Sequence, residues 1–107
     1  MKLIITIVAK EDAPRVIREL VAKKFFVTKL ASSGGFLRNG NTTLMIGTDD
    51  VEVNHAIEII TEFSKSRREF VPNSIVSEFG IISATPIEVN VGGATLFVVD
   101  VEKFIKV

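Results

Sequence analysis

The sequence predicts an α+β domain, and three observations carry that prediction: runs rich in β-branched residues, two stretches with helical spacing between them, and a Gly-Gly turn joining the last two runs. The opening KLIITIV, Lys2 to Val8, is almost continuously apolar, the pattern of a central strand covered on both faces. EDAPRVIRELVAKK follows as a helix, with acidic residues and Pro14 near its start and Lys23 and Lys24 near its end, as the macrodipole prefers. Val16, Ile17, Leu20 and Val21 form its buried stripe. FFVTKLA returns as a strand, and the Asn39-Gly40 turn signal opens the next, NTTLMIGT. From Asp50 a second helix is expected through VEVNHAIEIITEFSKSRR, its apolar face set by Val53, Ala56, Ile57, Ile60 and Phe63. PIEVNV then alternates, and Gly92-Gly93 turns the chain into ATLFVVDV. The sum is a ferredoxin-like βαββαβ order with an additional C-terminal strand, one domain spanning residues 1 to 107.

Composition narrows the function. Apolar residues make up 47% and charged residues 24%, the balance of an ordinary globular chain. The 13 basic and 13 acidic side chains cancel, which argues against a surface built to neutralise DNA or RNA phosphates, though not against a local basic pocket. No cysteine is present, so there is no disulfide framework, no thiolate nucleophile and no cysteine-type zinc site. The first apolar run is short, contains Thr6 and gives way at once to KED, which reads as a buried strand of a cytoplasmic protein rather than a signal peptide. No apolar run approaches the length of a membrane span.

One segment exceeds a minimal version of this fold. EFVPNSIVSEFGIISAT, residues 69 to 85, is longer than the roughly 12 to 15 residues at which unstructured loops become uncommon in compact domains. Its Phe70, Ile75, Val76, Phe79, Ile81 and Ile82 suggest packing on something. A hairpin covering its own sheet or a neighbouring subunit and a ligand-responsive flap fit equally well.

Enzyme chemistry finds little support. The only histidine, His55, falls off the main stripe of the second helix and reads as solvent-facing. No metalloprotease motif, nucleophile elbow or phosphate-binding P-loop occurs. Asp49, Asp50 and Glu52 look like a metal cluster, yet they sit where a helix N-terminus favours negative charge. No catalytic residue, metal or cofactor is expected.

The stretch ASSGGFLRNGNTT, residues 31 to 43, is more informative. Gly34 and Gly35 can take positive φ and turn successive N–H groups into a concavity suited to an anion, with Ser32 and Ser33 adding hydroxyls. Phe36 offers a flat surface for a base and Leu37 a second apolar wall, while the Asn41 amide has the donor and acceptor that read an adenine edge. The same residues serve equally as a plain turn, an oligomer contact and a turn-stabilising amide.

Taken together, TKLASSGGFLRNGNTTLMIG, IEVNVGGATLFVVDVEKF and the opening MKLIITIV resemble the PII-like cyclic-di-AMP receptor family of bacterial signalling proteins over essentially the whole chain. The resemblance implies a non-enzymatic homotrimer with a cyclic-di-AMP ligand between neighbouring subunits, and a downstream protein partner. It assigns Thr28 and Asn41 to the ligand's base and backbone, places Gly35, Phe36 and Leu37 along the cleft, and sets Gly47 where a side chain would crowd the nucleotide.

Three positions depart from the family pattern. Phe26 stands where an arginine is usual, Lys24 where an asparagine is usual, and Lys106 where a glutamine is expected. Losing a charge-assisted hydrogen bond worth about 1.5 to 3 kcal/mol lowers affinity roughly 10- to 150-fold, unless Lys24 or Lys106 restores the charge from another direction. The segment after the second helix also lacks the Gly-rich, tyrosine-containing stretch usual there. Another adenine nucleotide as ligand, or a protein-interaction module with a vacant cleft, are therefore the alternative readings.

Overall fold

The computed structural model of the chain describes residues 1–30, 40–71 and 87–107. Its elements are β1 (Lys2–Ala9), α1 (Ala13–Ala22), β2 (Phe26–Leu30), β3 (Asn41–Thr48), a 3₁₀ turn (Asp50–Glu52), α2 (Val53–Ser64), β4 (Arg67–Val71), β5 (Ile87–Val91) and β6 (Ala94–Asp100). The main sheet has the antiparallel order β2-β3-β1-β6, and β4 and β5 form a separate two-stranded sheet. This is a mixed α+β architecture compatible with the ferredoxin-like expectation.

Alternation along the strands decides where the core sits. Ile4, Thr6 and Val8 of β1 and Thr42, Leu44 and Ile46 of β3 point to one face and are buried there. Val16 and Leu20 of α1 and Ala56, Ile59 and Ile60 of α2 join the same core, so both helices cover this inner face. On the opposite face Leu3, Ile5 and Ile7 are only half-buried, and Phe97 and Val99 of β6 are exposed. The apolar run of β1 thus suits cover on both faces, while the described residues cover one.

Several expectations change. The fourth strand of the main sheet is β6, not PIEVNV, which pairs instead with β4. The second helix stops at Ser64 rather than running to Arg68: the Ser64 hydroxyl donates to the Ile60 carbonyl, and Lys65 turns to an extended conformation, φ −50° and ψ 135°. Arg67, Arg68 and the first part of segment 69 to 85, Glu69 to Val71, therefore belong to β4. Residues 72–86 lie outside the described residues. Val21 is 55% exposed, and in α2 Ile59 is buried where Ile57 is only half so, because each helix is turned slightly from the face its spacing suggested.

The β4–β5 hairpin is tied to the body by polar contacts. Arg67 donates to both carboxylate oxygens of the nearly buried Asp12, at 2.9 and 3.1 Å, and to Glu69 at 3.0 Å. These carboxylates, Asp12 first, push the guanidinium pKa further above its already high value. Asp12 precedes α1 but makes no side-chain cap to it, since its carboxylate is committed to Arg67. Gly92, at φ +79°, passes beneath the pair so closely that a Cβ would stand 2.6 Å from the Arg67 guanidinium.

Two positions carry a measurable cost. Thr6 is fully buried and its hydroxyl has no hydrogen-bond partner among the described residues, so Thr6→Val is expected to raise unfolding stability by about 1 kcal/mol in a denaturant titration. Lys24 closes α1 in the left-handed region, φ 69°, its N–H donating to the Val21 carbonyl at 2.9 Å and that of Phe25 to Leu20 at 3.0 Å. Lys24→Gly is expected to stabilise by about 1 kcal/mol, read from the shift in denaturant midpoint.

Candidate functional site

Strand register assembles the cleft. On the outer face of the sheet Gly47 of β3 stands opposite Phe26 of β2 on one side and opposite Leu3 of β1 on the other. In the next row Thr28 stands opposite Met45, which in turn faces Ile5. A cleft of about 740 Å³ opens over these rows, closed at one end by the segment after β6, which brings Phe104 and Lys106 to its wall. The lining is largely apolar; Thr28 contributes a hydroxyl and Lys106 a cation.

Phe26 is 86% exposed at the rim. Gly47 has no atom within 4 Å of where a Cβ would stand, so a bare strip of backbone lies between Phe26 and Leu3. A flat ring fits such a strip, because a missing side chain lets it approach the backbone directly.

Of the residues expected at the site, Thr28 and Gly47 meet in this cleft. Asn41 does not. It lies six residues from Gly47 along β3, roughly 20 Å at about 3.4 Å per residue. There it borders a second cavity of about 310 Å³ with Ile7 and the Gly92-Gly93 turn. Gly35, Phe36 and Leu37 lie outside the described residues. The sequence reading missed Leu3, Met45 and Phe104; the first two carried a signal, their odd-numbered alternation away from the core, whereas Phe104 reaches the cleft only through the return of the chain after β6.

The other candidates behave as structural groups. His55 is partly exposed, packs edge-on against Phe25 with ring centroids 5.6 Å apart, and lies 3.3 Å from a Glu52 oxygen. Asp50 pairs with the Met1 amino group at 3.0 Å, and that hydrogen bond lowers its pKa. No group of His, Asp or Glu among the described residues is arranged to hold a metal, and no described helix is long and apolar enough to cross a membrane.

A model of the cyclic-di-AMP receptor family matches residues 1–107, the whole length. The chain belongs to the cyclic-di-AMP receptor family, the PII-like group its sequence resembles. Among solved structures it is similar to the crystal structure of a functionally unknown protein from Pediococcus pentosaceus ATCC 25745, with 38% identity and a TM-score of 0.79 over 99% of this chain and 96% of that one. Membership supports a nucleotide ligand and a role as a signalling receptor.

Gly47 separates folding from binding. Its φ is not left-handed and its flank is open, so Gly47→Ala should unfold at the same or a higher denaturant concentration than the parent. The added methyl stands in the cleft, and calorimetric titration with cyclic-di-AMP should show affinity lower by roughly 5- to 150-fold, the range of an overpacked contact of about 1 to 3 kcal/mol.

Proposed function

We propose that this chain is a non-enzymatic cytoplasmic receptor that binds cyclic-di-AMP between the subunits of a homotrimer. The observation that carries the reading is the outer face of the main sheet. Leu3, Ile5, Ile7, Met45, Phe97 and Val99 make it apolar, and among the described residues the helices cover the other side. Self-association through such a face removes it from water, and symmetric oligomers are the usual outcome.

A shared site also accounts for the split between Thr28 and Asn41. One subunit supplies the cleft with Thr28 and Gly47; its neighbour supplies Asn41 and the adjoining Gly35, Phe36 and Leu37. Ligand capture at that seam reorders residues 69 to 85 and changes the surface offered to a partner protein.

Titration of the purified protein with cyclic-di-AMP, with ATP and cyclic-di-GMP as competitors, is expected to saturate near one ligand per chain and to favour cyclic-di-AMP. Preference for ATP would assign the cleft to another adenine nucleotide, and an absence of binding to all three would remove the receptor reading. Thr28→Ala and Asn41→Ala should each weaken binding by about 2- to 10-fold, the worth of a neutral hydrogen bond. Trimers co-assembled from the two variants test the shared site. They should recover some full-affinity sites, because some interfaces then carry neither substitution; a site within one chain would recover none.

A further inference from the structure

We infer that Phe26 and Lys106 form a two-point clamp, an aromatic platform and a cation, for one base and one phosphate of a purine dinucleotide. The inference rests on the receptor reading above and concerns what this chain uses within that cleft.

The cross-strand row places the platform. Phe26 faces Gly47 across the β2–β3 ladder, and Leu3 faces the same glycine from β1. A base laid over the Gly47 backbone has the Phe26 ring at one flank and the Leu3 side chain at the other. Phe26 is 86% exposed although its neighbour on β2, Val27, packs against the core. Every base has a π-face, so an exposed ring beside a bare strip is suited to stacking.

The charge comes from a different part of the chain. Lys106 lies on the segment after β6 and lines the same cleft. Among the described residues it forms no ion pair, whereas Lys2 and Arg67 are each engaged with a carboxylate. Among the described residues the cleft thus offers a cation free of ion pairing, the Thr28 hydroxyl and largely apolar walls. That inventory matches a planar aromatic group joined to a single negative charge, as each half of a cyclic purine dinucleotide presents.

The test uses the full chain and cyclic-di-AMP, with affinities from calorimetry at low and at physiological salt and assembly size from light scattering. Phe26→Ala and Phe26→Leu should both weaken binding by about 5- to 150-fold, while Phe26→Tyr retains it. Lys106→Ala should weaken binding by about tenfold at low salt, with the difference shrinking as salt rises, and Lys106→Arg should restore it. Assembly size should be unchanged in all five. Parent-like affinity for Phe26→Leu, or an assembly that falls apart in Phe26→Ala, would overturn the platform and leave Phe26 a plain apolar wall or a subunit contact. A Lys106→Ala loss that does not respond to salt would overturn the cation. If the parent chain itself fails to bind, the receptor reading falls and the clamp with it; if the parent binds and Phe26→Ala binds equally, only the clamp falls.

Discussion

β1 is hydrogen-bonded along both edges, to β3 from Lys2 to Ala9 and to β6 from Lys2 to Val8, and the positions of nearly all other described groups follow from that register. Side chains alternate with a period of two, so a slip of one residue would carry Ile4, Thr6 and Val8 out of the core and drive Leu3, Ile5 and Ile7 into it. The cleft depends on the same constraint. Gly47 is flanked by Leu3 because Lys2 pairs with Thr48 at the end of that ladder, and by Phe26 because Val27 pairs with Ile46 in the ladder between β2 and β3. The fold and the site are two faces of one alignment.

Beside this ladder the β4–β5 hairpin follows another logic. Among the described residues it shares no strand pairing with the main sheet, and its base is fixed by the Asp12–Arg67 pair and by the Gly93 N–H donating to the Ser64 carbonyl at 2.5 Å. Such contacts specify geometry more than they supply stability. Asp12 illustrates the exchange: a residue type suited to capping α1 serves the hairpin instead.

Local pattern made much of the fold legible. β1, β3 and both helices were readable because β-branched runs and apolar spacing of three and four reflect burial directly. The end of α2 was not. SKSRR has no proline or glycine to stop a helix; the chain turns extended at Lys65, and the strand beyond it is held from a distance, by β5 pairing with Arg67 to Val71 and by Asp12 binding Arg67 from 55 positions away. Which of the last two strands joins the main sheet was equally hidden, since IEVNV and ATLFVVD both read as strands and the choice is made by pairing with β1. Of the residues lining the cleft, Thr28 and Gly47 were expected through resemblance, while Phe26 and Lys106 drew notice only as departures. Their common wall is formed by residues far apart in sequence, and no local spacing encodes it. Asn41, 13 positions after Thr28, stands at the other end of β3 from Gly47, a separation within one chain that its place in the sequence did not reveal.

The attachment of the hairpin gives it mechanical leverage. Arg67 stands at its base, and β4 runs four residues on to Val71, roughly 13 Å at about 3.3 Å per residue. A pivot of about ten degrees at the Asp12–Arg67 pin would displace the Val71 end by roughly 2 Å, at the same strand rise. The position of the Val71 end is thus set by the angle at which the base is held, and the length of the arm magnifies any difference in that angle.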